Sequence, residues 1–185
     1  MGYGAQQPED IEVLEMVLSR YRGTLMRFVE IGIHVGSTAR GIKEYCDLNR
    51  VHLEYWGIDP VVPDPNPPFP GAHFIHGPSE ESFHLAPDRI DVVLIDGCHC
   101  VNHVILDTYQ YGARVMPGGF MLFHDVNPRI QHTMKDPHGP NIPQFYNSVL
   151  EAHLMIGFPF RNWKLLAEKW NNDAPWGGMA AYQKQ

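Results

Sequence analysis

The sequence predicts a three-layer α/β domain built on a mostly parallel β-sheet. Strand-like and helix-like segments alternate from end to end without an internal repeat, which is the pattern of such a fold. The run Ile90-Asp-Val-Val-Leu-Ile95 is apolar almost throughout, as a strand covered on both faces requires. The chain has 185 residues, 44% hydrophobic and 19% charged, enough for one domain to bury a core without disulfides or a structural metal. A single domain over residues 1–185 is therefore expected.

Each element has its own signal. Within the first 23 residues, Glu9–Tyr21 places Ile11, Leu14, Leu18 and Tyr21 at helical spacing. Leu25–Ile31 reads as a strand ending at Gly32 and Gly36, and Ser37 or Thr38 is placed to cap a helix running to about Tyr45. Strands are expected at Leu53–Ile58 and His73–His76, then at Ile90–Ile95. A helix over about Val101–Val115 would bury Val101, Val104, Ile105, Thr108, Gly112 and Val115. Pro117-Gly-Gly119 reads as a turn before a strand at Phe120–Phe123. Asn141–Ile156 looks helical around Phe145, Val149, Ala152 and Ile156, and Trp163–Trp170 with Gly178–Gln183 reads as an antiparallel strand pair. Two segments break the rhythm. Pro60–Pro70 holds six of the 16 prolines and must be a stiff loop, while residues 128–143 form a long Pro- and His-bearing loop after a strand's carboxyl end, where such sheets place ligands.

Charge narrows the function. With 14 basic and 21 acidic residues the net charge is −7, which argues against sequence-independent capture of nucleic acid or anionic membrane. No apolar run approaches a membrane span, and Met1–Gln7 lacks the basic start and apolar stretch of a signal peptide. Cys46, Cys98 and Cys100 are odd in number, so a reduced, cytoplasmic state is expected. The 11 histidines are an excess for so few cations.

The segment Phe28-Val-Glu-Ile-Gly-Ile-His-Val-Gly-Ser-Thr38 has the form strand, E-x-G-x-x-x-G, helix. Gly32 and Gly36 permit a tight turn and close approach to a ligand, and the amides of Ser37 and Thr38 open the helix toward an anionic group. A dinucleotide loop would have glycine at position 30; the Glu30 found there repels a diphosphate and suits an ammonium group. Asp59 ends the next strand, where a carboxylate accepts the hydroxyl hydrogens of a ribose. A ligand with an amino-acid end and a ribose but no phosphate is S-adenosylmethionine.

The order Glu30-x-Gly32-x-x-x-Gly36, Gly57-Ile-Asp59, Ile95-Asp-Gly97, Met116-Pro-Gly-Gly119 resembles the class I S-adenosylmethionine-dependent methyltransferases from about Leu25 to Asp125, and Trp176–Lys184 resembles their final antiparallel strand. That resemblance implies a Rossmann-like sheet of about seven strands, mostly parallel with an antiparallel last strand. Leu94-Ile-Asp-Gly-Cys-His99 with Phe123-His-Asp-Val126 further resembles the O-methyltransferases that modify sugar hydroxyls of macrolides and related polysaccharides. By position, it implies Glu30, Gly32, Gly36 and Ser37 at the methionine end, Asp59 at the ribose, Gly77 and Ser79 near the adenine, and Asp96 at the reacting centre. It implies His99 as the base and Asp96, His124 and Asp125 around Mg²⁺ or another divalent metal. His124 departs from the family pattern, which has an acidic residue there; an imidazole weakens a site for Mg²⁺, which wants oxygen. The expected acceptor is a small molecule, a sugar or polysaccharide precursor among the candidates. Membrane and nucleic acid are not expected partners, and a homo-oligomer is compatible with the reading.

Rival readings are weaker. A nicotinamide-dependent oxidoreductase is disfavoured by Glu30. A non-catalytic cofactor-binding partner protein would lack turnover on any acceptor. Cys98, His99, Cys100 and His103 invite a zinc reading, but Cys98 and Cys100 are one residue apart and no second ligand pair follows at a zinc-finger distance. Asn66-Pro-Pro-Phe69 imitates a loop of amino-group DNA methyltransferases but follows the wrong strand.

Overall fold

The computed structural model describes residues 6–127, 162–174 and 177–185. The expected helix at Asn141–Ile156 and the expected loop at 128–143 lie outside them, as do His132, Phe145 and Tyr146, the sequence's candidates for lining an acceptor pocket. Helix α1 (Pro8–Leu18) leads into β1 (Leu25–Ile31), α2 (Ser37–Leu48), β2 (His52–Asp59) and β3 (His73–His76). Then come α3 (Ser79–Ser82), β4 (Ile90–Ile95), α4 (Val101–Arg114), β5 (Val115–His124), β6 (Trp163–Lys169) and β7 (Met179–Lys184). The strands form one seven-stranded sheet in the order β3-β2-β1-β4-β5-β7-β6. β1 to β5 run parallel, and β7 lies antiparallel between β5 and β6. The expected architecture is the one found.

Alternation along each strand divides the core into two layers. Met26 and Phe28, Val92 and Leu94, and Phe120 and Leu122 pack under Val13, Leu14, Val17 and Leu18 of α1 and Ala39, Ile42 and Tyr45 of α2. Their neighbours Val29 and Ile31, Val93 and Ile95, and Met121 and Phe123 pack under Val104 and Tyr111 of α4. The parity of a residue therefore says which layer it faces. Glu30 falls on the α1–α2 side.

Local details differ from expectation for physical reasons. The buried face of α1 is Asp10, Val13, Leu14, Val17 and Leu18, rotated from the predicted stripe, and the chain tightens into a 3₁₀ turn at Ser19–Tyr21. Neither Ser37 nor Thr38 caps α2. Gly36 holds that position at φ +72 without a side-chain cap, and Thr38 Oγ1 instead accepts a hydrogen bond from Gln6 Nε2 at 3.2 Å. Met116–Gly119 form a bulge inside β5, because Ile90 pairs with Val115 and Val92 with Phe120. A Cβ on Gly119 would lie 2.7 Å from the Asp91 carbonyl oxygen, so the bulge requires glycine there. The four-residue α3 is too short to show a period in sequence.

Helix α4 buries Asp107, 2% exposed, whose Oδ1 has no hydrogen-bond partner. Burial pushes its carboxyl up to about 7, against a hydrogen bond with Ser79 that lowers it. Between about pH 4 and pH 7 the folded chain thus keeps a proton that the unfolded chain has lost, so this group's contribution to stability falls as pH rises through that window. Asp107→Asn removes the ionisation and is expected to stabilise the fold at pH 8 by roughly 1–2 kcal/mol, the gap closing toward pH 4. Urea unfolding of both proteins at pH 5 and pH 8 reads this; an equal difference at the two pH values contradicts it.

Candidate active site at the carboxyl edge of the sheet

Ile58, Ile31, Ile95 and Phe123 lie side by side in register across β2, β1, β4 and β5. The next residue of each strand therefore forms a row along the carboxyl edge: Asp59, Gly32, Asp96 and His124. The chain leaves β1 toward β2 and β3 and returns to β4 on the other side of β1. That reversal opens the crevice in which α/β sheets of this kind bind ligands. A cavity of about 410 Å³ lies there, lined by Gly32, Asp59, Pro78, Ser79, Asp96 and Gly97 among others. Its size is in the range of small-molecule sites.

Gly32 explains the close approach of β1 and β4. Its φ is +85, and a Cβ there would lie 2.2 Å from the Asp96 carbonyl oxygen and 2.5 Å from Gly97 Cα. Gly36 serves a different contact: its Cβ would lie 2.7 Å from Pro68 Cβ, so the Pro-rich loop is folded over the start of α2. Phe69 of that loop packs 5.2 Å from the Tyr55 ring. Asp59 accepts backbone amides on both oxygens, from His34 at 2.8 Å and Val61 at 2.7 Å. A carboxylate has about four acceptor positions, so each oxygen keeps a lone pair for a hydroxyl in the cavity.

Beside the cavity, two histidines and three carboxylates interlock. His124, 8% exposed, reaches Asp96 Oδ1 at 2.9 Å and Asp125 Oδ2 at 3.3 Å through Nδ1. Through Nε2 it reaches Asp10 Oδ2 at 3.2 Å. Burial alone would lower the pKa of this imidazole, but Asp96, Asp10 and Asp125 outweigh it and hold His124 well above its ordinary value, as an imidazolium. Asp125 stands well below the usual carboxylate range, because His124 and His99 hydrogen-bond it strongly enough to overcome its burial. It takes the uncommon φ of +59, pinned by the Gly177 amide on Oδ1 at 3.0 Å. His99 Nε2 sits 3.1 Å from Asp125 Oδ2. The Asp125 carboxylate thus orients the His99 ring through Nε2.

Glu30, 1% exposed, lies behind this surface and accepts a hydrogen bond from Tyr55 Oη at 2.5 Å. Burial pushes its carboxyl up to about 8, with the Tyr55 bond opposing and Asp96 and Asp59 adding to the rise. Of the residues expected at the site, Gly32, Asp59, Ser79 and Asp96 line the cavity, whereas Glu30, Gly36, Ser37, Gly77 and His99 do not. Gly77 shapes the turn after β3, donating its amide to the Asp59 carbonyl at 3.1 Å. The residue missed in sequence is Asp10. It is fully buried, and besides His124 it takes the Gly178 amide on Oδ1 at 2.7 Å and the Gln7 amide on Oδ2 at 2.8 Å. Its signal was present: a carboxylate three and four residues before Val13 and Leu14 sits in the apolar stripe of α1.

Ligand atoms of Asp96, His124 and Asp125 lie within 4.8 Å of one another, but the set does not fit Mg²⁺. That ion wants oxygen donors, and an imidazolium hydrogen-bonded from both nitrogens presents no lone pair. The His124 cation stands among the carboxylates instead. None of the three cysteines is disulfide-bonded, and no helix of the described residues is long and apolar enough to cross a membrane.

Comparison with known proteins gives the same fold repeatedly. The MycE methyltransferase from the mycinamycin biosynthetic pathway, in complex with Mg and SAH, superposes with a TM-score of 0.64 at 17% identity, over 94% of this chain and 48% of that one. The chain thus spans about half the length of MycE. An O-methyltransferase from Bacillus cereus in complex with SAH gives 0.66 at 11% identity, over 98% and 84%. An rRNA methylase from Streptococcus thermophilus gives 0.62 at 13% identity, over 98% of each chain. No curated protein matches the sequence. The model of a family described as a methyltransferase domain matches residues 29–126, just over half of the sequence, and the chain accordingly belongs to that methyltransferase-domain family.

Proposed function

We propose that the chain transfers a methyl group from S-adenosylmethionine to an oxygen of a small molecule, a sugar hydroxyl being the favoured acceptor. The observation that carries the reading is the His99–Asp125 pair, since an Asp125 oxygen lies within 4.8 Å of an oxygen of Asp96, which lines the cavity. The cavity fits such a cofactor: Asp59 presents acceptor positions for a vicinal diol, Ser79 stands toward the expected adenine end, and Gly32 lets β1 and β4 approach closely at its base. Bound there, S-adenosylmethionine supplies an electrophilic methyl group on a sulfonium. His99 takes the proton of the acceptor hydroxyl as that oxygen becomes nucleophilic, and Asp125 holds the ring in the competent tautomer and stabilises the imidazolium formed. Asp96, tied to His124 at 2.9 Å, is held in place in the cavity lining at the reacting end. Holding acceptor and donor in line supplies much of the remaining acceleration. The Glu30 carboxyl, next to Tyr55, contributes to the field at the methionine end from behind, favouring an ammonium group once ionised. Gly36 and Ser37 shape the loop at that end.

No metal step is derived, since the donor set disfavours Mg²⁺. The MycE structure in complex with Mg and SAH supports a cofactor of this kind on this fold, and its metal belongs to that protein. A panel of sugar and phenolic acceptors with methyl-labelled S-adenosylmethionine tests the proposal. Label on an oxygen of a sugar acceptor is expected. Binding of cofactor without turnover on any acceptor, or label on nitrogen alone, overturns it.

A further inference from the structure

One wall of the cavity carries side chains that methyl transfer does not use. Cys98 follows β4, Cys100 precedes α4 at its N-cap, and His103 lies in the first turn of that helix. Their ligand atoms all fall within 4.8 Å of one another. Cys98 Sγ is 2.8 Å from Cys100 Sγ and 3.4 Å from His103 Nδ1. With ordinary bond lengths, a tetrahedral zinc ion holds two thiolate sulfurs about 3.8 Å apart and a sulfur and an imidazole nitrogen about 3.6 Å apart. The sulfur–nitrogen spacing is therefore nearly that of a bound ion, and the sulfurs need to part by about 1 Å, within reach of side-chain rotation.

We propose that Cys98, Cys100 and His103 form a binding site for a thiophilic cation of the Zn²⁺ class, with two thiolates and one imidazole as ligands and the fourth tetrahedral position open. The spacing of the cysteines in sequence argued against a zinc finger, which needs a second ligand pair. Here the third ligand comes instead from the helical turn, which folds His103 back over Cys98. His103 Nε2 lies 3.9 Å from Glu80 Oε1, so a carboxylate stands behind the imidazole, as it commonly does behind metal-ligating histidines. Sulfur donors select a borderline-soft ion over Mg²⁺ or Ca²⁺. Each thiol releases its proton to the buffer on ligation. Because Cys98 and His103 both line the cavity, the ion sits at its wall. Cys46, the third cysteine, lies on the buried face of α2, and burial pushes its thiol up to about 12, so it does not compete.

The test titrates the full chain, stripped by a chelator and kept reduced by a phosphine, with Co²⁺ as a spectroscopic stand-in. One equivalent of Co²⁺ is expected to produce a near-ultraviolet sulfur-to-cobalt charge-transfer band with visible bands of tetrahedral intensity, and Zn²⁺ is expected to bleach both. Cys46→Ser should keep the signal. Cys98→Ser and Cys100→Ser should each lose it while remaining folded by circular dichroism, and Glu80→Gln should weaken affinity about tenfold. Cobalt bound without the sulfur band places the ion among carboxylates and overturns the proposal. So does a wild-type chain that binds no cobalt, or a band that survives in both Cys98→Ser and Cys100→Ser. None of these readings depends on whether the chain transfers methyl groups.

Discussion

Gly32→Ala is expected to lower the melting temperature by more than roughly 10 °C, or to yield no folded protein, a loss on the order of 3–5 kcal/mol. Two effects add. The φ of +85 strains any residue with a Cβ, and that Cβ would meet backbone, the Asp96 carbonyl at 2.2 Å and Gly97 Cα at 2.5 Å. Backbone cannot rotate aside as a side chain can, so β1 and β4 must separate at the edge that forms the cavity. Gly23→Ala isolates the first effect: its φ is +74, and a Cβ there meets nothing within 4 Å. It should cost about 1 kcal/mol, a shift of a few degrees. Thermal melts of the two variants side by side check the difference. Equal shifts would mean that the close approach of Gly32 to Asp96 is not what the position requires.

His99→Ala is expected to reduce methyl transfer by about 10²- to 10⁴-fold while leaving cofactor affinity within a factor of about three, the range for removing a positioned general base. The separation follows from placement: His99 is outside the cavity lining and reaches the Asp96 end of the cavity only through Asp125, an oxygen of which lies within 4.8 Å of Asp96. Asp125→Asn should fall in the same direction by a smaller factor, because it loosens the ring without removing it. Single-turnover rates with saturating cofactor read the chemistry, and calorimetry reads the affinity. Unchanged turnover in His99→Ala would remove the base from the proposed mechanism, and a lost affinity would make His99 a binding residue.

Much of the fold was legible because its signals are local. The apolar run Ile90–Ile95 and the E-x-G-x-x-x-G turn place β4, β1 and the start of α2 to within a residue or two. Helix α1 was legible as a helix but not in its facing, because Ile11 and Tyr21 mimic the stripe while Asp10 breaks the true one. A buried carboxylate looks like a solvated one until its partners are known, and the partner of Asp10 lies 114 residues away at His124. The row Asp59, Gly32, Asp96, His124 depends on strand register, which no single segment encodes. The excess of histidines resolves by position. His99 and His124 enter the carboxylate network and His103 enters the thiol cluster, while His52 and His73 sit at strand starts away from the edge. The Cys98–Cys100–His103 group was visible in sequence but disfavoured, since a zinc-finger spacing rule asks for a second linear pair and not for a ligand from the adjoining helical turn.

The central claim is that the cavity between β1, β2 and β4 holds the methyl donor through Asp59. Isothermal titration of the folded chain with S-adenosylhomocysteine, repeated on Asp59→Asn, tests it most directly. The account predicts one molecule per chain and at least about a tenfold weaker affinity in the variant, the loss expected when a carboxylate stops accepting two hydroxyl hydrogens. A folded wild-type chain that binds none, or a variant that binds equally well, contradicts it.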